Sequence, residues 1–268
     1  MADSKAVAKK QESNVVEFDM SVIEADASVG FENIGQEDLA LPFLKVLSGN
    51  DEVLNDRNFK GRKGDIYNTV TGECFDGEKG VKVIPCAYQR RFIQWLPRGQ
   101  GSGAPVAIFT PDEERPKTER SNDDNKDYVV GGEGDYIEET AQHFVLLIND
   151  DGAAETALIA MKSTQLKKSR KWNSMMMSRQ IQGKNGPFTP PRFGFVYNLK
   201  TVFEENSKGS WHGWEMSVDG PTPNLDLYNR AKEFANSITA GDVVVKHTND
   251  EAGSKDASDG AGGKKAPF

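Results

Sequence analysis

From Thr156 to Phe203 the chain carries nine basic residues and not one Asp or Glu. They are Lys162, Lys167, Lys168, Arg170, Lys171, Arg179, Lys184, Arg192 and Lys200. The protein as a whole is acidic, with 41 acids against 33 bases and a net charge of -8. An acid-free basic run in such a chain is a local field of opposite sign, and fields of that kind meet polyanions. The negative total argues against indiscriminate binding and for a confined basic groove. A second acid-free segment, Lys79 to Pro111, interleaves Lys82, Arg90, Arg91 and Arg98 with Tyr88, Phe92 and Trp95. Cations neutralise phosphates and release counterions, and exposed aromatic rings stack on unpaired bases. The mixture suits single-stranded nucleic acid better than duplex. The expected groove has two walls. One offers Lys82, Tyr88, Arg90, Arg91, Phe92 and Trp95; the other offers Lys162, Lys167, Lys168, Arg170, Lys171, Trp172, Arg179, Lys184 and Arg192. Lys168, Lys171 and Arg179 are expected on phosphates, and Trp172 with one aromatic of the first wall on bases.

Catalytic chemistry finds little material. His143, His212 and His247 stand in unrelated segments and read as structural. No Gly-rich loop ends in Gly-Lys-Ser/Thr, and a magnesium nuclease would need carboxylates where the basic stretch has none. Cys74 and Cys86 lie twelve apart with no Cys or His at metal-ligand spacing, so neither a disulfide framework nor a zinc site is expected. The reading is a non-enzyme with no cofactor and no metal. No apolar run approaches the ~20 residues of a membrane span, and the first residues lack a signal-peptide pattern. A cytoplasmic location is expected, and no membrane partner.

These residues need elements to position them, and the pattern is mainly β with added helices. Residues 1–38 carry seven acids between Glu17 and Asp38 and read as a flexible acidic arm, with one short strand near Val15 to Phe18. Order begins at Leu39, and residues 39–247 read as one domain. Gly64 to Phe75 is expected to form a hairpin turning near Thr71-Gly72. Val81 to Leu96 is rich in β-branched and aromatic residues but too long for one straight strand, so a bend or bulge is expected near Pro85. On that strand Tyr88, Arg90 and Phe92 share one face and Arg91, Ile93 and Trp95 the other, and period alone leaves open which face meets a ligand. Residues 112–139, with eleven acids against four bases, read as an acidic loop insertion. Asp151-Gly152 joins two arms that are apolar on nearly every residue, as central strands covered on both faces are. A basic helix is expected near 163–181, capped by Ser163. Its wheel puts Leu166, Met177 and Ile181 on a buried edge and Lys168, Lys171, Arg179 and Trp172 outward. A second hairpin turns at Asn206 to Gly209. A C-terminal helix near 224–240 has Asn224 as cap, Leu225, Tyr228, Ala231, Ala235 and Ile238 as apolar face, and Gly241 as stop. Residues 248–268 read as a disordered tail.

The β-rich body of hairpins, the basic segments carrying aromatics and a tail ending in Phe268 resemble phage-encoded single-stranded DNA-binding proteins of OB type. Gly64-Asp-Ile-Tyr-Asn-Thr-Val-Thr-Gly-Glu73 and Lys162-Ser-Thr-Gln-Leu-Lys-Lys-Ser-Arg-Lys-Trp172 look like segments of phage replication-module proteins of this kind. The resemblance implies an OB-like β-barrel core, single-stranded DNA coated during phage replication and recombination, and docking of replication or recombination proteins through the terminal Phe268. It also implies the host cytoplasm as the place of action. The tail departs from that group, because Lys255, Lys264 and Lys265 offset most of its acids. The rival readings are a recombination mediator or annealing protein, and a virion structural or assembly protein.

Overall fold

The structure is a computed structural model. It describes residues 20–35, 38–97, 99–207, 209–243 and 245–247. The chain forms two compact units, Met1–Leu39 and Ala40–Phe268. In the first, the short helix α1 (Met20–Ala25) leads into a series of turns with exposed side chains. The strand expected near Val15 lies outside the described residues, as do Arg98, residues 248–268 and Phe268.

In the second unit a three-residue strand, β1 (Leu44–Val46), pairs with β2 (Ile66–Asn68), which pairs with β3 (Cys74–Phe75) across the Thr71-Gly72 turn. A parallel bridge from Phe43 to Leu158 ties this small sheet to the large one. The large sheet is organised on two long strands, β4 (Val81–Trp95) and β8 (Tyr136–Ile148), antiparallel along their whole length. Their register shifts between Pro85 and Ala87, leaving Cys86 without a cross-strand partner. The expected bulge is there, and its cause is Pro85, which has no N–H to give the ladder.

Three short strands extend the sheet beyond this pair: β5 (Ala107–Phe109) on β4, and the hairpin of β6 (Thr118–Arg120) and β7 (Asp127–Val129) on β8. The acidic 112–139 stretch is thus a hairpin added to the sheet rather than a plain loop. Its side chains stay mostly solvated, which is why alternating polarity never marked them as strands. β9 (Ala154–Lys162) returns along β8 from the Asp151-Gly152 turn. After helix α2 (Leu166–Met177) and the small hairpin of β10 (Ile181–Gly183) and β11 (Gly186–Phe188), β12 (Phe195–Asn206) and β13 (Gly209–Pro221) form the second expected hairpin. β12 joins β4 through Tyr197 to Leu199. Helix α3 (Leu225–Ala240) closes the described fold. The architecture is mainly β with few helices. The strand order β13-β12-β4-β8-β7-β6 leaves ends that do not meet, so among the described residues the sheet does not close into a barrel.

Alternation along β8 sends Val145 and Leu147 to one face and Phe144 and Leu146 to the other, and both faces are covered. On the first face the small sheet and α2 contribute Leu44, Ile66, Trp172 and Met176 to a core with Val83, Ile159, Tyr197 and Trp214. On the second, α3 supplies Leu227, Ala231, Phe234 and Ile238 against Ile84, Phe144 and Leu158. Asn224 caps α3 as expected, its side chain accepting from the Leu227 amide at 2.8 Å, and Gly241 ends it in the left-handed region at φ 85°. The buried stripe is set by Leu227 and Phe234 rather than Leu225, which is 72% exposed.

The basic helix is shorter than expected and turned the other way. Ser163, at φ 48°, opens a short 3-10 turn instead of capping, so α2 begins at Leu166. It ends at Met177, which puts Arg179 and Ile181 beyond its wheel. Ser169, Trp172 and Met176 form the buried stripe, while Met177 is 75% exposed. The indole is the largest apolar group on the helix, and small Ser169 one turn earlier lets that face approach the sheet. Burying an indole outweighs burying Met177, while Leu166 stays half-buried against the same core.

Candidate functional site

Trp172 is fully buried, so the expectation that it stacks on bases is corrected: its indole lies on the His143 imidazole, with ring centroids 4.6 Å apart and planes at 28°. Tyr88 flanks the other side of His143 at 5.0 Å, and Tyr197 meets Trp172 edge-on. Trp95, on the opposite face of β4, is buried against His247. Neither tryptophan is presented to a ligand.

Several expected phosphate contacts are already matched with carboxylates. Lys82 pairs with Asp219 at 3.0 Å, Lys162 with Glu138 at 3.2 Å and Lys168 with Glu204 at 2.6 Å. Burial pushes the Glu204 carboxyl up, but hydrogen bonds from Lys168 and the Trp211 indole outweigh it and leave the pKa below the ordinary value. All three acids come from outside the acid-free runs, carried in by β8, β12 and β13. A charge count along the chain cannot register them.

What the fold does bring together is Arg90 from β4 and Arg170 from α2. Their guanidiniums share one carboxylate, Glu139, at 3.9 and 3.8 Å, and their side chains remain 46% and 68% exposed. Phe92, directly opposite Glu139 in the ladder, adds a half-buried ring. Arg115 packs on that ring at 3.7 Å and Arg90 at 5.5 Å. Arg90 and Arg115 thus flank one aromatic ring while Arg90 and Arg170 share one carboxylate, and α2 also carries the exposed Lys167 and Lys171. The face of β4 that carries Arg90 and Phe92 is the one that meets this cluster. Arg91 sits on the other, its guanidinium donating to Gln89 Oε1 at 2.7 Å. Lys184 is exposed at the β10–β11 turn.

Arg192 and Arg179 are placed differently. Arg192 donates to Asn173 Oδ1 at 3.0 Å and lies 3.4 Å from His143 Nδ1, while Arg179 rests on the Phe195 ring at 4.5 Å. Burial drives the His143 pKa well below its usual value, helped by the Arg192 charge, so the imidazole is neutral. Neutral Nδ1 accepts from Arg192, which leaves Nε2–H to donate to Ser169 Oγ at 2.8 Å. A Ser–His pair could act as a nucleophile and base. Here both residues are buried, and Arg192 stands where a triad carboxylate would, lowering the basicity of the imidazole. Among the described residues no group of three or more His, Cys, Asp or Glu side chains could hold a metal ion, and no helix is long and apolar enough to cross a membrane.

Sequence reasoning passed over Arg115, hidden because its neighbours are acids, and over the 46%-exposed Phe188 of β11. The only local signal for Phe188 was an aromatic held between Gly186-Pro187 and Pro190-Pro191, where no strand face could absorb it. Residues 10–244 match the family model described as Pam3 phage gp34-like protein. No curated protein and no solved structure matches the chain.

Proposed function

The chain belongs to the Pam3 phage gp34-like protein family, and from that premise we propose that it is a non-catalytic, largely sequence-independent single-stranded DNA-binding protein acting in phage replication or recombination. One observation carries the reading: Arg90 and Arg170, distant in the chain, meet over a single carboxylate, with Arg90 and Arg115 on the neighbouring Phe92 ring. Three guanidiniums with one acid keep an excess of positive charge that phosphates can take up, and Glu139 orders the two arginines in their absence. Phe92, already one of the expected stacking aromatics, keeps that role, and the exposed Phe188 takes the one first given to Trp172. The OB-type likeness enters as a mode of use: a strand laid across one face of a bulged antiparallel sheet. Host cytoplasm, where phage DNA replicates, is the location this activity needs, and single-stranded DNA is the partner.

The test is binding of a fluorescently labelled homopolymeric oligonucleotide, followed by anisotropy at two salt concentrations. The native chain binds at low salt and weakens steeply as salt rises. Replacing Arg90 and Arg170 together by Gln weakens binding tenfold or more and flattens the salt dependence. Absence of binding at low salt ends the proposal, and sizing the complex tells a strand-coating protein from an annealing protein that builds rings.

A further inference from the structure

Arg179 and Arg192 line one cleft of about 60 Å³ between the end of α2, the Pro190-Pro191 turn and the start of β12. Its remaining wall includes Thr189, Phe195, Tyr197 and Met177, and no carboxylate. Both arginines have a buried Nε–H with no hydrogen-bond partner, and among the described residues neither forms an ion pair. Their other contacts are neutral: Asn173 and His143 for Arg192, the Phe195 ring and the Tyr197 hydroxyl for Arg179. Two other half-buried cations of this region have carboxylates, Lys162 with Glu138 and Lys168 with Glu204. Two guanidiniums thus line one cleft without an anion, and their buried, unmet Nε–H donors cost free energy. Desolvation accordingly lowers the Arg192 pKa to about 10.

An anion would satisfy both. By the usual measure of ~10–15 Å³ per water, the cleft has room for roughly four waters. That is space for a tetrahedral oxyanion and too little for a nucleoside. Guanidinium forks match phosphate oxygens in geometry as well as charge. We propose that this cleft is a phosphate-group site, in which Arg179 and Arg192 clamp one tetrahedral oxyanion. The group is either free inorganic phosphate or the terminal phosphomonoester of a DNA strand. The site does not rest on the single-strand reading, because the Arg90–Arg170 cluster is built from other residues.

Calorimetric titration of the full chain with inorganic phosphate, at ionic strength held constant with chloride, tests it. Saturable one-to-one binding is expected, weakened at least tenfold in Arg179→Gln. Arg192 is packed in the interior, so Arg179→Lys serves as the second variant; it keeps the charge, loses the fork and weakens binding several-fold. Oligonucleotides with and without a 5′-phosphate separate the sources. If the strand end is the ligand, the phosphate strengthens binding and Arg179→Gln abolishes that difference. If both oligonucleotides bind alike while inorganic phosphate binds, the free anion is the ligand. No saturable phosphate binding, or undiminished binding in Arg179→Gln, overturns the site. Phosphate binding by a chain indifferent to oligonucleotides ends the single-strand reading and leaves this one standing.

Discussion

At the scale of residues, the same side-chain types serve burial and ligand contact, and surroundings decide between them. Trp172 has the neighbours of a base-stacking residue in sequence and those of a core residue in space. Trp172→Ala should therefore cost about 3–5 kcal/mol of stability, read by denaturant unfolding. Trp172→Phe, which keeps an aromatic ring in the interior, should leave oligonucleotide affinity within twofold. A large affinity loss in Trp172→Phe would return the indole to the interface. His143 gives a pH dependence of definite sign. It is held neutral in the native state and protonates near its ordinary value in the unfolded chain. Its contribution is present above pH ~6.5 and is lost as pH falls, at up to ~1.4 kcal/mol per pH unit. His143→Gln should flatten the stability profile between pH 6.5 and 5.

At the scale of elements, the placement of β4 and α2 is what makes a cluster. The Pro85 bulge divides β4 into an inner half, joined to β12, and an outer half carrying Arg90 and Phe92 beyond the edge of β12. α2 crosses the same face and delivers Arg170. Because both arginines lean on Glu139, Arg90→Gln and Arg170→Gln should be non-additive in oligonucleotide affinity, with coupling of about 0.5–3 kcal/mol in a double-mutant cycle. Glu139→Gln should tighten binding by removing the competing carboxylate, and weakened binding would assign Glu139 a positioning role instead. On the other face, α3 depends on its cap. Asn224→Ala should cost ~1 kcal/mol with no change in oligonucleotide affinity, a control for indirect effects.

At the scale of the whole molecule, an acidic chain reaches a polyanion only through a local excess of cations. If about four phosphates are neutralised by Arg90, Arg115, Arg170 and Lys171, the logarithm of affinity should fall against that of salt with a slope near -3. A slope near zero would mean that binding, if present, does not use this cluster. A strand bound as proposed would be repelled by the acidic β6–β7 hairpin and so held to a confined path.

The sequence by itself determined the long strands, their hairpin turns, the Pro85 bulge, both ends of α3 and the two segments that supply Arg90, Phe92 and Arg170. Those features depend on neighbours along the chain: Gly at a left-handed position, Asn at a cap, Pro within a ladder, alternation over a few residues. Tertiary structure decided which face of α2 is buried, that Arg90 rather than Arg91 meets Arg170, and which cations meet carboxylates. It also decided that the sheet stays open. Each of these depends on groups far apart in sequence. Glu138, Glu139, Glu204 and Asp219 all lie outside the acid-free runs, yet they settle which of the cations inside those runs are matched. Arg115 shows the reverse, a cation among acids that folding carries to the Phe92 ring. Charge acts through space, so the sequence located the basic segments and only the fold could say where positive charge is left over.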